Sequence, residues 1–302
     1  MKLLVAGTAL QSEDFLQALR EMGHTVTQIT DERIPLTAQN LCPADFEGVI
    51  CNGLFTATPI EQFTSLRYVQ LLSAGYDRMD LAYAHAHGIT VHNARGVYSI
   101  PMAEHALCGV LSLCRQMRFF DRSQRAHRWE KHRGLTELCG RVAVIVGCGS
   151  VGGACAERFS ALGCRVIGVD AAPHPDSAFS DMLPADRLDG VLPLADVLVL
   201  TVPLTPETRH MIGAPQFASM KPGAVLVNIA RGAVVDTAAL CDALPHLGGA
   251  VLDVFEDEPL SEDSPLWDAE NVILTPHNSF VGDGNTARLT RLCLENLSHE
   301  PI

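Results

Sequence analysis

A glycine-rich turn is the first feature of this sequence with recognisable chemistry. The apolar run Val142 to Val146 leads directly into Gly147-Cys148-Gly149-Ser150-Val151-Gly152, which has the pattern G-x-G-x-x-G, and an apolar helical pattern follows. In such a turn the first glycine permits the tight bend, the second lets backbone approach a pyrophosphate, and the third lets helix and strand pack closely. The helix N-terminus adds free N–H groups and a partial positive charge. We therefore predict a dinucleotide site formed by Gly147, Gly149, Ser150, Val151 and Gly152.

An acidic residue follows at a spacing that selects the cofactor. The next apolar run ends in Asp170, 18 residues after Gly152, where a carboxylate can accept hydrogen bonds from the adenosine ribose hydroxyls. Its charge would repel the 2′-phosphate of NADP, and no Arg follows in Asp170-Ala171-Ala172-Pro173. We predict NAD as the cofactor. Cys148 is interpreted as a filler of the turn rather than a redox group, because no resolving cysteine lies beside it.

The hydrophobic pattern predicts a fold that can hold such a site. Short apolar runs alternate with helical patterns, which is typical of parallel sheets with crossover helices. We predict an α/β protein with two Rossmann-like or flavodoxin-like domains, the cofactor domain being inserted into the substrate domain. Residues 1–98 plus 282–302 form the predicted substrate domain and residues 99–281 the NAD-binding domain. The predicted strands are Leu3 to Ala6, Val26 to Ile29, Gly48 to Cys51, Val69 to Leu72, Ile89 to His92, Val142 to Val146, Arg165 to Val169, Val197 to Val202, Ala224 to Ile229, Ala250 to Val254 and Val272 to Leu274.

Two helical patterns stand near the predicted domain boundaries. One begins at Pro101, a favourable first helical residue, and is apolar on nearly every side, which predicts a buried helix. The other, Ala287 to Leu297, is amphipathic and is expected to pack on the first domain.

Composition excludes several classes of protein. The 302 residues are 47% hydrophobic, so apolar surface is sufficient for folded cores. The formal net charge of −13 would repel a phosphate backbone, which argues against nonspecific nucleic-acid binding. No apolar run approaches the length of about 18 residues that a membrane helix needs. We expect neither a nucleic-acid nor a membrane partner.

The cysteines favour a reducing compartment. There are 10, without a CxxC pair, and we interpret them as reduced core thiols of a cytoplasmic protein. No metal site is predicted. The start, Met1 and Lys2 followed by Leu3 to Leu10, has the outline of a signal-peptide core, but it lacks a cleavage pattern, and a first strand is the favoured interpretation.

Several further segments resemble the signature blocks of the D-isomer-specific 2-hydroxyacid dehydrogenases. Their order and spacing are similar to those of the family over roughly residues 45–280. The segments are Leu72-Ser73-Ala74-Gly75-Tyr76-Asp77, Asn93 to Glu104, Thr201-Val202-Pro203-Leu204-Thr205 with Thr208, Val227 to Gly232, Leu252 to Pro259, and Leu274-Thr275-Pro276-His277.

The resemblance implies a catalytic set of Arg231, Glu258 and His277. Reduction of a 2-oxo acid needs a hydride at C2, a proton for the developing alkoxide and a partner for the carboxylate. An imidazole suits the proton transfer because it titrates near neutral pH, and a carboxylate beside it favours the imidazolium. A guanidinium offers a planar fork to carboxylate and carbonyl oxygens.

The same resemblance implies the remaining binding residues. Substrate carboxylate would bind the amides of the Ser73-Ala74-Gly75 loop together with Arg231. Asp253 would face the nicotinamide carboxamide. A homodimer formed through the cofactor domain is also implied. The residues implied to line the cofactor pocket are Val202, Pro203, Thr208, Ala230, Arg231 and His277.

Two departures from the family pattern bear on specificity. Asn278-Ser279-Phe280 follows His277 where the family has small residues. The loop after the third strand carries Leu54 and Phe55 where phosphoglycerate dehydrogenases carry a phosphate-binding Arg-Ser-x-Thr. We expect Leu54 to contact an uncharged substituent of a non-phosphorylated substrate, such as glyoxylate, hydroxypyruvate or a short-chain homologue.

Alternative functions remain open at this stage. One is a non-catalytic, NAD(H)-sensing protein similar to the C-terminal binding protein corepressors, which retain the same three residues. Another is a different oxidation on the same scaffold, such as that of phosphoglycerate, phosphite or formate. Formate enzymes usually have Gln at the position of Glu258, which argues against that version.

Overall fold

The computed structural model describes residues 1–7, 10 and 12–299 of the chain. The chain divides into two compact units, one formed by Met1–Tyr98 with the chain from Gly282 onward, the other by Ser99–Val281. Positions 8 and 9 of the predicted Leu3 to Leu10 run and positions 300–302 of the predicted substrate domain lie outside the described residues.

Each unit is built on one parallel sheet. The first sheet has the strand order β2-β1-β3-β4-β5 and the second β12-β11-β10-β9-β6-β7-β8, and every strand pair is parallel. The strands are β1 (Lys2–Ala6), β2 (Thr25–Ile29), β3 (Gly48–Cys51), β4 (Tyr68–Leu71), β5 (Thr90–His92), β6 (Val142–Val146), β7 (Arg165–Asp170), β8 (Asp181–Pro184), β9 (Val197–Leu200), β10 (Val225–Asn228), β11 (Gly249–Leu252) and β12 (Val272–Leu274).

Helices connect the strands and cover the faces of the sheets, as crossover connections require. They are α1 (Glu13–Glu21), α2 (Leu54–Ala57), α3 (Leu81–Ala86), α4 (Ser99–Cys114), α5 (Met117–Arg125), α6 (Ser150–Ala161), α7 (Leu188–Val191), α8 (Ala214–Ser219), α9 (Thr237–Ala243) and α10 (Asn285–Ser298).

Five strands are buried along their whole length because both faces of each sheet are covered. Every residue of β3, β4, β9, β10 and β11 is buried. On one face of the first sheet, Leu289, Cys293 and Leu297 of α10 join the core around Leu3 and Val5. The C-terminal helix therefore completes the core of the first unit.

The predicted α/β fold with two parallel sheets is confirmed, and one strand was missed. β8 pairs with β7 at the edge of the second sheet, from Asp181 beside Ile167 to Pro184 beside Asp170. A proline is tolerated on an edge strand because its missing N–H faces away from the sheet. This polar, proline-ended segment has none of the apolar continuity that identified the other strands.

Helix α4 is buried on one face only, which corrects the prediction of a helix buried on every side. Ile100, Glu104 and Cys108 form an exposed stripe, while small residues on the other face let the helix approach the sheet closely. A Cβ atom placed on Gly109 would lie 2.5 Å from Val251 Cγ1 in β11. Only glycine fits at this crossing.

Gly109→Val is expected to lower the free energy of unfolding by about 1–3 kcal/mol, because the added side chain must push α4 away from β11. Urea unfolding of the purified protein measures this. Cys108→Val is the matched control, since it introduces the same β-branched residue at an exposed position of the same helix and should change stability by less than about 0.5 kcal/mol. Equal effects of the two substitutions would contradict the close crossing.

Candidate active site

The glycine-rich turn after β6 is shaped by two very close backbone approaches. Gly147 has φ +93°, and a Cβ atom there would lie 2.9 Å from the backbone of Thr201 and Val202. A Cβ atom on Gly152 would lie 2.0 Å from the Gly147 carbonyl oxygen. A side chain at either position would therefore displace the backbone. With glycine at both, the turn can lie directly against the end of β9.

The turn presents the start of a long helix. Gly149 is the N-cap of α6, which runs for 12 residues from Ser150, with Val151 in its first turn. Because the first amides of a helix have no partner within it, they are suited to bind phosphate. The close glycine turn and this helix start fit the pyrophosphate of a dinucleotide.

Asp170 ends β7 beside the same turn. Its carboxylate accepts the Cys148 amide at 2.6 Å and the Ala172 amide at 2.8 Å. A carboxylate has about four acceptor positions, so two remain for ribose hydroxyls. A negative charge at this position would repel a 2′-phosphate.

Cys148 itself is a buried packing residue. It is 2% exposed, and burial, followed by the charge of Asp170, raises the pKa of its thiol to about 12. A thiol that stays protonated and inaccessible is a poor nucleophile and a poor redox group. This fits the interpretation of Cys148 as a filler of the turn.

The loop after β9 is closed by a threonine. Thr208 Oγ1 donates to the Pro203 carbonyl at 2.7 Å and accepts the Thr205 amide at 2.8 Å. Val202 is half-buried against the core, whereas Pro203 is exposed. Thr208 therefore fixes the loop in which Val202 and Pro203 lie, rather than only facing a ligand.

A buried asparagine shapes the turn that carries Arg231. At the end of β10, Asn228 is 1% exposed; its side chain accepts the Ala230 amide at 3.1 Å and donates to the Arg231 carbonyl at 3.0 Å. The Arg231 guanidinium donates to the Ala230 carbonyl at 2.7 Å. Ala230 is itself buried at 5% exposure. The polar end of an otherwise apolar strand was the available signal for Asn228.

The Arg231 turn lies directly on the loop that carries Glu258. A Cβ atom on Gly232 would stand 1.8 Å from the Phe255 carbonyl carbon and 2.4 Å from the Glu256 nitrogen. Contact this close is possible only for glycine. The loops after β10 and β11 are therefore held at a fixed separation by backbone contact.

Glu258 and His277 form a hydrogen-bonded pair. Glu258 Oε2 lies 2.8 Å from His277 Nδ1, and Glu258 Oε1 accepts the Phe255 amide at 3.0 Å. Their side chains are 37% and 43% exposed, so both can be reached from solvent. Because Nδ1 is engaged by the carboxylate, Nε2 is the nitrogen presented outward.

The carboxylate of Asp253 holds the loop that carries His277. The carboxylate is fully buried. It accepts hydrogen bonds from the Thr275 hydroxyl at 2.6 Å and from the amides of Asn278 and Ser279 at 2.7 and 2.9 Å. The backbone carbonyl of Asp253 accepts the His277 amide at 2.7 Å. Burial raises the pKa of this carboxyl, but the hydrogen bonds from Ser279, Thr275 and the loop amides outweigh it and hold the pKa below its usual range.

These contacts correct the expected role of Asp253 and extend the network to α4. Both carboxylate oxygens bind the 275–279 loop, and the side chain has no accessible surface with which to face a carboxamide. His105 Nε2 lies 3.2 Å from Thr275 Oγ1, which accepts from it because the hydroxyl proton goes to Asp253. Sequence reasoning missed His105, although a histidine within an apolar helix was a signal.

A second histidine–glutamate pair stabilises the neighbouring loops. His210 Nε2 lies 2.7 Å from Glu256 Oε2, and Glu256 Oε1 accepts the Thr237 amide at 2.9 Å. Burial raises the pKa of Glu256, but its bonds with Thr237 and His210 prevail and lower it. Of the two glutamates in this loop, Glu258 is the one beside His277, whereas Glu256 supports the start of α9.

In the first unit, the loop after β4 leaves two successive amides open. The carbonyls of Ser73, Ala74 and Gly75 accept bonds from the Ala94 amide, the Asn93 side chain and the Ser73 hydroxyl. Within the described part of the chain, no group accepts a hydrogen bond from the Ala74 or Gly75 amide. Two adjacent free amides form a small anion-binding concavity.

Leu54 does not line this edge, contrary to expectation. Its side chain is 0% exposed and belongs to the core cluster of the first unit, beside the half-buried Phe55. The apolar residue in the polar loop faces inward because it opens helix α2, whose apolar side must cover the sheet. The inference that an uncharged substituent binds Leu54 therefore fails.

Among residues 1–7, 10 and 12–299, no helix is long and apolar enough to cross a membrane. Within the same residues, no group of three or more His, Cys, Asp or Glu side chains is arranged to hold a metal ion.

Comparison with known proteins identifies relatives of the second unit and of the whole chain. Residues 107–279 match the family model of the D-isomer specific 2-hydroxyacid dehydrogenase NAD binding domain. An (S)-sulfolactate dehydrogenase from Chromohalobacter salexigens is 36% identical over 242 residues, which are 79% of this chain and 78% of that protein. A glyoxylate reductase from Korarchaeum cryptofilum is 36% identical over 248 residues, 80% of this chain and 75% of that protein.

A solved structure extends the likeness over the whole chain. A D-isomer specific 2-hydroxyacid dehydrogenase family protein from Aeromonas salmonicida superimposes with a TM-score of 0.82 at 28% identity, covering 100% of this chain and 97% of that one.

Asp253→Asn is expected to lower the free energy of unfolding at pH 7 by about 1–3 kcal/mol, because an amide offers one oxygen to three donors and turns its own N–H groups toward them. The pKa of Asp253 is lower in the folded state than in the unfolded state. The ionised carboxylate therefore stabilises the fold above the unfolded-state pKa of about 4, and this stabilisation is lost as the pH falls through the lower folded-state pKa. Urea unfolding at several pH values should show the difference between variant and wild type narrowing below about pH 4.

Asp257→Asn serves as the control for that experiment. Asp257 is an exposed carboxylate in the same segment, and its replacement should change stability by less than about 0.5 kcal/mol. A difference between wild type and Asp253→Asn that stays constant from pH 7 to pH 3 would contradict the assigned hydrogen bonds.

Proposed function

The chain belongs to the D-isomer specific 2-hydroxyacid dehydrogenases and is an NAD-dependent oxidoreductase, and from that premise we propose that it interconverts a small, singly charged 2-oxo acid and its 2-hydroxy acid. In this proposal Arg231, Glu258 and His277 form the catalytic set. The observation that carries it is the Glu258–His277 pair at 2.8 Å, on a loop fixed by the buried carboxylate of Asp253.

His277 is the proposed proton donor in the reductive direction. Glu258 accepts from Nδ1, which keeps the proton on that nitrogen and sets the orientation of the ring. Nε2 then donates its proton to the oxygen at C2 as negative charge develops there, and takes it back in the oxidative direction. The Asp253 bonds to the 275–279 loop keep the imidazole on Glu258 while the proton moves.

Arg231 is the proposed partner of the substrate's oxygens. Its guanidinium carries five N–H donors in a planar fork, one of which goes to the Ala230 carbonyl. In this proposal the guanidinium binds the carboxylate and polarises the carbonyl at C2. Asn228 and Gly232 hold its turn in place.

Each of the two units has its own proposed role. We assign the first unit as the substrate domain, whose Ala74 and Gly75 amides bind the carboxylate, and the second as the cofactor domain. Bound NAD supplies the hydride acceptor, or its reduced form the donor. The chain's contribution is the cradle of Gly147, Gly152 and the α6 amides, with Asp170 at the ribose.

A monoanionic substrate of the glyoxylate or hydroxypyruvate type is the favoured class. The glyoxylate reductase among the relatives supports it. The (S)-sulfolactate dehydrogenase relative supports instead a substrate with a second negative charge. A substrate panel distinguishes the two.

With NADH and a panel of 2-oxo acids, we expect the wild-type protein to reduce at least one small member of the panel. His277→Gln is expected to lower kcat at least about a hundredfold, because glutamine keeps a hydrogen bond but cannot transfer the proton. The measurement is the rate of NADH oxidation, followed by the loss of absorbance of the reduced nicotinamide. The same assay with NADPH should be much slower because of Asp170.

His246→Gln is the matched control, since His246 is an exposed histidine of the same unit outside the proposed set. It should retain wild-type kcat. Retention of activity by His277→Gln would exclude His277 as the general acid, and NADH binding without turnover of any panel member would favour the corepressor-like alternative.

We also propose that the protein works as a homodimer in the cytoplasm. Trp129 is 98% exposed, and Met117, at the start of α5, is 53% exposed. A fully exposed indole is unusual because tryptophan usually buries its large apolar surface. All ten cysteines are free thiols, which supports a reducing compartment.

Trp129 provides its own test, because Trp267 is the one other tryptophan in the sequence. In the Trp267→Phe variant, fluorescence reports Trp129 alone and should be blue-shifted at high protein concentration, then move to longer wavelength on dilution as the dimer dissociates. The Trp129→Phe variant should show no such shift. A monomeric mass by analytical ultracentrifugation at every concentration would contradict the dimer.

A further inference from the structure

Two pairs of backbone amides lie side by side at the carboxyl edge of the first sheet. β3 and β4 are adjacent, and the Leu72 amide still donates to the Cys51 carbonyl at 2.8 Å where the strands end. Asn52 and Gly53 follow β3, and the 73–75 loop follows β4. Adjacent strands are about 4.8 Å apart, so the two loops are neighbours.

The two pairs differ in what they bind. The amides of Ala74 and Gly75 bind no group of the described chain. The amides of Asn52 and Gly53 are both taken by one carboxylate, since Glu32 Oε2 accepts Asn52 N at 2.9 Å and Oε1 accepts Gly53 N at 2.8 Å. Glu32 follows β2 and reaches across the edge to fill this second pair.

A fixed negative charge thus stands beside the open amides. The bidentate geometry holds the Glu32 carboxylate in one place, because both oxygens are engaged by rigid backbone. Arg78, from the loop after β4, places a positive charge near the same glycine. A Cβ atom on Gly53 would lie 3.5 Å from Glu32 Oε1 and 3.6 Å from Arg78 Nη1, so both groups face the same point.

We propose that Glu32 is a specificity-determining residue that selects 2-oxo acids without a second negative charge. The inference rests on the proposed function, in which the substrate carboxylate binds Ala74 and Gly75. A sulfonate or phosphate substituent at C3 would extend toward the neighbouring loop, where the amides are already occupied and the Glu32 carboxylate repels it. A hydrogen, methyl or hydroxymethyl substituent meets no such repulsion. Discrimination by a repulsive group accompanies discrimination by attractive contacts in many specific sites.

Arg78 makes the proposal testable in both directions. When Glu32 is neutralised, the Arg78 guanidinium no longer shares that point with a carboxylate, and the local charge becomes positive. The kcat/KM for a dianionic substrate should then rise, and this rise should disappear when Arg78 is neutralised as well. This double-mutant cycle isolates the interaction of the two side chains with the substituent.

The experiment compares kcat/KM for pyruvate and hydroxypyruvate with that for 3-sulfopyruvate, using NADH and the full-length protein. Wild type should favour the monoanions at least about tenfold, because charge-assisted contacts are worth that much or more. Glu32→Gln should shift the ratio about tenfold toward 3-sulfopyruvate, and Glu32→Gln with Arg78→Gln should return it toward the wild-type value. Glu32→Asp keeps the charge and should keep the preference.

Asp31→Asn is the matched control, since Asp31 is the adjacent carboxylate but binds Arg33 and not the 52–53 amides. It should leave the ratio unchanged. A wild-type preference for 3-sulfopyruvate, equal use of both classes, or an unchanged ratio in a folded Glu32→Gln variant would overturn the proposal. Failure of the wild type to reduce any 2-oxo acid would instead overturn the proposed function, so the two failures are distinguishable.

Discussion

The buried carboxylate of Asp253 is the interaction on which the candidate active site depends. Taking a carboxylate out of water is costly unless its oxygens are hydrogen-bonded, and here the donors come from the loop that carries His277. The charge cannot be satisfied unless that loop adopts its observed course, in which His277 has φ +52°. Burial thus turns a local hydrogen-bond requirement into a constraint on where the imidazole lies.

Backbone contact extends the same constraint to the other two proposed catalytic residues. Arg231, Glu258 and His277 follow β10, β11 and β12, which are adjacent in the sheet, so their loops leave one edge side by side. Gly232 lets the first loop touch the second without an intervening side chain, and Asp253 joins the second to the third. Three residues far apart in sequence are held together by one glycine and one carboxylate, neither of which needs to touch a substrate.

The sequence predicted what depends on local chemistry, and missed what depends on packing. Continuous Val/Ile/Leu runs predict central parallel strands because both faces of such strands are buried, and the spacing of Gly147, Gly152 and Asp170 is specific because each residue meets a separate geometric need. Leu54 was misplaced because its position after the third strand did not show that the side chain turns into the core of the first unit. The contact of His105 with Thr275 joins residues 170 positions apart, and only the fold brings them together.

The net charge of −13 gives the backbone amides particular importance. A protein with this balance must bind an anionic cofactor and an anionic substrate through local positive potential, and in the proposed function the amides at α6 and at Ala74 and Gly75 supply it without adding cations. The Asn52–Gly53 pair shows the opposite use of the same groups, because Glu32 occupies it from within the chain. An amide pair filled by the protein's own carboxylate cannot bind a second anion, whereas the open pair beside it can bind one. The proposed selectivity for a singly charged substrate would therefore follow from which of two similar amide pairs is left open.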